Sequence, residues 1–240
     1  MLHSPAVVAE ADVKRYPGLA GKRVLIAGAE RSFGRSIAKA FAREGARLVL
    51  QATRLGNVDW GGGNALRVFE CRPRSADEVE RLADAAATAH AGLDIAIAVT
   101  ALPARWPDLR AADPEGPAAE ALKLPFLAGR RIAERMHLKN IRGCLMTVAT
   151  LPPAGGDHPV GRMLLATMLA AFVRRQAEDF APFGICAFGI AAEPLVAPLS
   201  GRGANEPGIA RMGRTKAVAE TVLALAGDRA RFLSGQTLTI

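Results

Sequence analysis

The sequence predicts an α/β fold: a doubly wound parallel sheet of about seven strands with helices on both faces. Three observations predict it. Short apolar runs of strand length alternate with helical patterns from Arg23 to the C-terminus. A glycine-bearing turn, Gly28 to Gly34, joins the first run to the first helix. The 240 residues suit a single domain, and no linker or internal repeat divides them.

Residues 23–27 are apolar enough for a central strand. Gly28 to Gly34 form the turn, and residues 35–44 continue as a helix with Ile37, Ala38 and Phe41 on one face, until Gly45 stops it. Residues 47–51 and 65–70 give the second and third strands, with the flexible turn Gly61-Gly62-Gly63-Asn64 between them. Ser75 is an N-cap with Glu78 three residues on, the pattern of a capping box, and opens a helix to about His90. Residues 94–100 are the fourth strand. A connection containing Pro103, Pro107, Pro114 and Pro117 leads to a long helix over 118–139 and a fifth strand over 144–150. After a loop at 151–159, an apolar helix spans 161–180 and a sixth strand spans 185–191. Residues 193–213, rich in Gly and Pro, read as an irregular, lid-like insertion. A helix over 215–226 and a closing strand over 235–240 complete the domain, and residues 1–20 form an N-terminal extension.

Half of the residues are hydrophobic and 22% are charged, a globular composition. No apolar run reaches the roughly 18 residues of a membrane span. The N-terminus carries Glu10 and Asp12 without the apolar stretch of a secretory signal. Cys71, Cys144 and Cys186 fall in or directly after predicted strands, and His3, His90 and His137 are scattered, so no metal site is expected. Small buried cysteines suit a reducing compartment, which makes the cytoplasm the expected location. The net charge is +8, but its basic residues are dispersed and aromatics are few, so a solvated surface is expected rather than a nucleic-acid partner. Arg130, Arg131, Arg135 and Lys139 read as one such charged helix face.

By themselves, two glycines at the spacing of Gly28 and Gly34 are a weak signal. Together with the strand Val24-Leu25-Ile26-Ala27 and three further segments, they resemble the short-chain dehydrogenase/reductase family over roughly residues 21–240. Those segments are Asp94-Ile95-Ala96-Ile97, Ala181-Pro182-Phe183-Gly184-Ile185 and Ser234-Gly235-Gln236-Thr237-Leu238. The resemblance implies a Rossmann-like single domain over 21–240. It implies a dinucleotide site at Gly28, Arg31, Ser32, Phe33 and Gly34, with Arg54 nearby. It also implies a homo- or hetero-oligomer formed with a homologue through the helices 118–139 and 161–180.

The family's chemistry rests on a Tyr-x-x-x-Lys pair, whose places resemble Arg162 and Ala166 here. The only tyrosine, Tyr16, precedes the first strand. An arginine stays protonated and serves poorly as general acid or base at neutral pH. Thr150 aligns with the family's serine and keeps a hydroxyl. Other departures are Ala27 and Ser32 in the glycine fingerprint, Ala98-Val99-Thr100-Ala101 for Asn-Asn-Ala-Gly, Arg72 for the adenine-side aspartate, and Ala121 near the supporting asparagine. Gln51 ends the predicted second strand, where an acid would hydrogen-bond the ribose of NAD. With no acid there, and Arg31 and Arg54 nearby, a retained dinucleotide is expected to be NADP, in a site weakened or lost through the departures at Ser32, Arg72 and 98–101.

Three functions stay open. One is a catalytically degenerate subunit that pairs with an active homologue in an oxidoreductase complex, acting for example on hydroxyacyl thioesters. Another is an NADP-dependent carbonyl reductase or alcohol dehydrogenase in which Thr150 works with Asp157 or His158, residues that equally suit a polar turn beside Gly155, Gly156 and Pro159. The last is a non-catalytic sensor of a dinucleotide or other metabolite. Met163, Leu164, Leu165, Met168, Leu169 and Phe172 make the helix 161–180 apolar over most of its circumference, which calls for burial in the core or against another subunit.

Overall fold

The computed structural model describes residues 16–54, 60, 65–73, 75–101, 117–151, 159–193 and 208–240. Within them lie the strands β1 (Arg23–Ala27), β2 (Arg47–Ala52), β3 (Leu66–Glu70), β4 (Ile95–Ala101), β5 (Cys144–Thr150), β6 (Cys186–Ala192) and β7 (Thr237–Thr239). The helices are α1 (Ser32–Arg43), α2 (Ala76–Ala89), α3 (Pro117–Leu138), α4 (Pro159–Phe180) and α5 (Gly208–Ala226). All strand pairs are parallel, in one seven-stranded sheet ordered β3-β2-β1-β4-β5-β6-β7.

A parallel sheet needs crossover helices, and these cover both faces, so its strands are apolar without alternation. Residues 24–27 of β1, 144–149 of β5 and all of β6 are accordingly buried. Successive side chains still point to opposite faces. Val24, Ile26, Leu48, Leu50 and Ile97 meet Phe33, Ile37 and Phe41 of α1 and Val218 and Val222 of α5. Leu25, Val49, Ala96 and Leu145 meet Ala83 and Ala86 of α2 and Ile132 and Met136 of α3. On that second face, Ala149 and Ala191 pack against Leu165, Leu169 and Val173 of α4. β3, at the sheet edge, is only partly covered.

One ion pair fastens the amino ends of the two central strands. Arg23 donates from its backbone amide, Nε and Nη2 to the Asp94 carboxylate, at 2.7–2.9 Å. Burial works to raise the Asp94 pKa, but the hydrogen bonds and charge of Arg23 outweigh it and hold the carboxyl below its ordinary range.

Several boundaries differ from the sequence expectation. α1 begins at Ser32 rather than 35, because the end of the glycine turn is already helical. α5 begins at Gly208, so residues 208–213, expected within the irregular insertion, are helical. Gly208 and Gly213 had hidden the helix formers between them. The remainder of that insertion, 194–207, lies outside the described residues, as do Gly61 to Asn64, Pro103 to Pro114, and residues 1–15 of the extension. β7 is shorter than expected and pairs only with β6. At the start of α2, the Ser75 hydroxyl accepts from the Glu78 amide at 3.3 Å, as the cap predicts.

One side of α4 is open. Met163 is 61% exposed, Leu164 39% and Met168 37%. Leu164, Met168 and Phe172 recur every fourth residue, and the Phe172 ring lies 6.3 Å from that of Phe126 on α3, itself half exposed. Burial within the chain thus accounts for one face of this helix and leaves a second apolar face uncovered. No helix among the described residues is long and apolar enough to cross a membrane.

Candidate functional site

The chain leaves β1 through β2 and β3 on one side, then returns to β4 on the other. In open α/β sheets this switch point opens a crevice at the carboxyl ends of the strands, where ligands bind. Here a cleft of about 300 Å³ lies at that place. Its lining includes Gly28, Glu30, Arg31, Gln51, Thr53 and Arg72, with residues 98–101 of β4 and Pro125 of α3.

The glycine turn forms one wall. Gly28 has φ +78°, and a Cβ there would stand 2.3 Å from the Val99 carbonyl oxygen. A Cβ on Gly34 would stand 2.5 Å from the Gly28 carbonyl oxygen. Both glycines are therefore required by contact between backbones: Gly28 lets the turn touch β4, and Gly34 lets α1 close onto the turn. Ser32 replaces the middle fingerprint glycine at the exposed first position of α1. Its φ is not positive, so this place demands no glycine conformationally. Phe33 is buried against the sheet and holds α1 in place.

Gln51, which stands where an acid would meet the ribose of NAD, is used for the turn instead. β2 continues to Ala52, and the Gln51 side chain is buried and turned back beneath the turn. The Gly28 amide donates to both the backbone and side-chain oxygens of Gln51, each at 3.0 Å. Gln51 Nε2 then donates to the Cys71 carbonyl at 2.6 Å. A neutral amide can donate and accept at once, so it staples the turn to the end of β3, which a carboxylate could not do.

The acidic group of the cleft comes from the turn instead. The Thr53 hydroxyl, just beyond β2, donates to Glu30 Oε1 at 3.1 Å. Glu30 Oε2 is buried without a hydrogen-bond partner. Sequence reasoning passed over Glu30, because it fills a variable position of the fingerprint. Arg31 and Arg72 line the cleft, whereas Arg54 is exposed and does not. The glycine cradle and the orphaned acceptor are features a dinucleotide would use, so the described residues fit such a ligand.

The other end of the same rim is built differently. Thr150 is the last residue of β5, between Ala101 and Ala192, and is half-buried. Arg162, in the first turn of α4, donates from Nη2 to Glu193 Oε1. Glu193 follows β6 directly, and its amide donates to the Ile240 carbonyl at 2.9 Å. The pair thus ties α4 to the end of β6 and to the C-terminus, with side chains 18% and 32% exposed. Glu193 was also missed, being 31 residues from its partner in sequence. Ala166 packs beside the small cluster under α4. Asp157 and His158 lie outside the described residues. Among the described residues no cluster of His, Cys, Asp and Glu could hold a metal ion.

Comparison with known proteins agrees with this architecture. A "Glucose 1-dehydrogenase" of Gluconobacter oxydans is 25% identical over 92% of this chain and 91% of that protein. A short-chain dehydrogenase of Leptospira borgpetersenii, solved with bound NAD+, superposes with TM-score 0.74 at 15% identity, covering 100% of this chain and 98% of that one. A hydroxysteroid dehydrogenase of Escherichia coli superposes with TM-score 0.70 at 22% identity, covering 92% and 95%. Residues 27–240 match the family model described as "Enoyl-(Acyl carrier protein) reductase". The chain belongs to the short-chain dehydrogenase/reductase family that this model represents.

Proposed function

We propose that the chain is a catalytically silent short-chain dehydrogenase/reductase subunit, kept for assembly with an active homologue. The observation that carries this reading is the Arg162–Glu193 ion pair. It stands where the resemblance puts the family's tyrosine, and Ala166 stands where it puts the lysine. A guanidinium held by a carboxylate cannot relay a proton at neutral pH, because its own proton does not leave. Thr150 offers a hydroxyl that could orient a carbonyl, but it brings no proton source of its own.

The open face of α4 supports the assembly half of the reading. Met163, Leu164 and Met168, with Phe126 from α3, form an exposed apolar stripe, and the partly buried Phe172 borders it. Such a stripe is costly in water unless another subunit covers it. Since the matching family model is named for an enoyl-thioester reductase, an active partner working on acyl thioesters is the natural first candidate.

Native mass spectrometry after co-expression with active homologues from the same cell tests this. The expected result is a mixed assembly, lost when Met168→Asp and Phe172→Asp are introduced. Self-assemblies alone, together with hydride transfer by this chain to a carbonyl or enoyl substrate, would overturn it.

A further inference from the structure

We propose that α1 carries a docking surface for duplex DNA, which it holds through backbone phosphates and without regard to sequence. This goes beyond the assembly reading and does not rest on it. α1 packs on the face of the sheet opposite α4, so the two surfaces are separate.

The sequence alone pointed to a solvated surface, because the basic residues behind the net charge of +8 are dispersed along the chain. Folding sorts them. On α3, Arg131 and Arg135 pair with Asp84, and Arg130 pairs with Glu134. On α4, Arg162 pairs with Glu193, Arg174 with Glu178 and Arg175 with Asp179. α1 is different. Arg35, Lys39 and Arg43, with Arg31 at the N-cap, are all exposed. No ion pair or hydrogen bond among the described residues engages their side chains. They recur at every fourth residue and so form one row along the helix.

The acids near this row are turned to other groups. α1 itself contains none. Glu44, at its C-cap, is buried and accepts from the Tyr16 amide at 3.0 Å, and Glu220 of α5 accepts from the Tyr16 hydroxyl at 3.5 Å. Before the helix, Glu30 accepts from Thr53. The Ser36 hydroxyl donates to the Thr215 carbonyl at 3.1 Å, which brings the exposed Lys216 of α5 to the side of the row.

What the row lacks decides its partner. A stable protein interface needs an apolar centre, and a helix that lies on a membrane needs an apolar face. α1 presents neither. Phe33, Ile37 and Phe41 are buried in the core, and none of the exposed large hydrophobic residues described lies on this helix. A single nucleic-acid strand calls for aromatic side chains to stack its bases. A duplex calls only for cations along its phosphates. At about 1.5 Å per residue the row runs about 18 Å, along which one strand of a duplex presents about five phosphates. Ser36 and Ala40, between the cations, are small enough to let the helix come close. B-form DNA is the fit, because its major groove admits a helix, whereas that of A-form RNA is too narrow for side chains to read.

Fluorescence anisotropy of a short labelled DNA duplex of random sequence, titrated with the full chain at several salt concentrations, tests this. Binding is expected in the micromolar range at about 50 mM salt. The logarithm of the affinity should fall with that of the salt concentration at a slope of about −3.6, about 0.9 for each of the four cations. Arg35→Gln, Lys39→Gln and Arg43→Gln together should weaken binding at least about thirtyfold and leave a slope of about −0.9. Lys39→Gln alone should make the slope shallower by about 1. Arg130→Gln, Arg174→Gln and Arg175→Gln together remove the same charge from paired positions, and should leave the affinity within about threefold. Unfolding curves check that each variant folds. The proposal would be overturned by no binding at the lowest salt, or by an equal loss in the two triple variants. Tighter binding to duplex RNA, polyglutamate or phosphatidylglycerol vesicles than to DNA would overturn it as well.

Discussion

The two ends of one rim make an instructive contrast. At the switch point, β1, β2 and β4 keep an open cleft with a glycine cradle, two arginines and an unpaired carboxylate oxygen. A few strands away, past β5 and β6, the corresponding polar groups are Arg162 and Glu193, joined to each other. At the first end one carboxylate oxygen, Glu30 Oε2, lacks a hydrogen-bond partner, whereas the two charged groups at the second are joined. On the function proposed above, the first end would serve binding, and the Arg162–Glu193 pair at the second would act as a brace between α4 and β6.

The largest effect is expected at the cleft wall. Gly28→Ala forces a Cβ to 2.3 Å from the Val99 carbonyl at a left-handed φ. It should cost about 3 kcal/mol or more in urea unfolding, and the cleft should be lost with the turn. Stability within about 1 kcal/mol of the unmutated chain would mean that the turn does not depend on backbone contact with β4.

Next comes Asp94→Asn, which separates general loosening of the sheet from loss of the cleft. It leaves the partly buried Arg23 without its counter-ion and should cost about 2 kcal/mol. The same carboxylate has a depressed pKa in the folded chain. Its contribution is therefore present above the unfolded aspartate value near 3.9 and is lost as pH falls below it. Asp84 behaves in the same way. Hydrogen bonds from Arg135 and Arg131 lower its pKa to about 2. Acid unfolding should thus steepen between about pH 4 and 2, and Asp94→Asn should flatten that slope.

Arg162→Gln and Glu193→Gln come third. Their double-mutant cycle should give a coupling of about 1 kcal/mol, since the pair is only partly shielded from water. A coupling indistinguishable from zero would remove the bracing role. Asp84→Asn should be the mildest of the set, because Asp84 and its arginines lie at the surface, with side chains 31–38% exposed.

The reasons why some of this was legible in the sequence, and some not, are physical. Continuous apolar runs such as Val24 to Ala27 and Cys144 to Met146 announce strands buried on both faces, so a parallel sheet could be read directly. Gly28 and Gly34 were legible because their restraint is local. Gln51 misled because the apolar run stops there, although the strand and its pairing continue through Ala52 to Glu70. Glu30 and Glu193 carried no pattern. The first becomes meaningful only beside Thr53, 23 residues away, and the second beside Arg162, 31 residues away. Helix periodicity made α4 visible as apolar over most of its circumference, but which side faces the core was settled by Leu165, Leu169 and Val173 packing on β5 and β6.

The most direct test of the division between the two ends is the NADH dissociation constant of the Arg162→Gln, Glu193→Gln double variant. If the ion pair is a brace and the cleft binds on its own, NADH affinity should stay within about twofold of the unmutated chain while unfolding stability falls. A collapse of NADH binding in that variant, with stability unchanged, would contradict the account and make the two ends a single site.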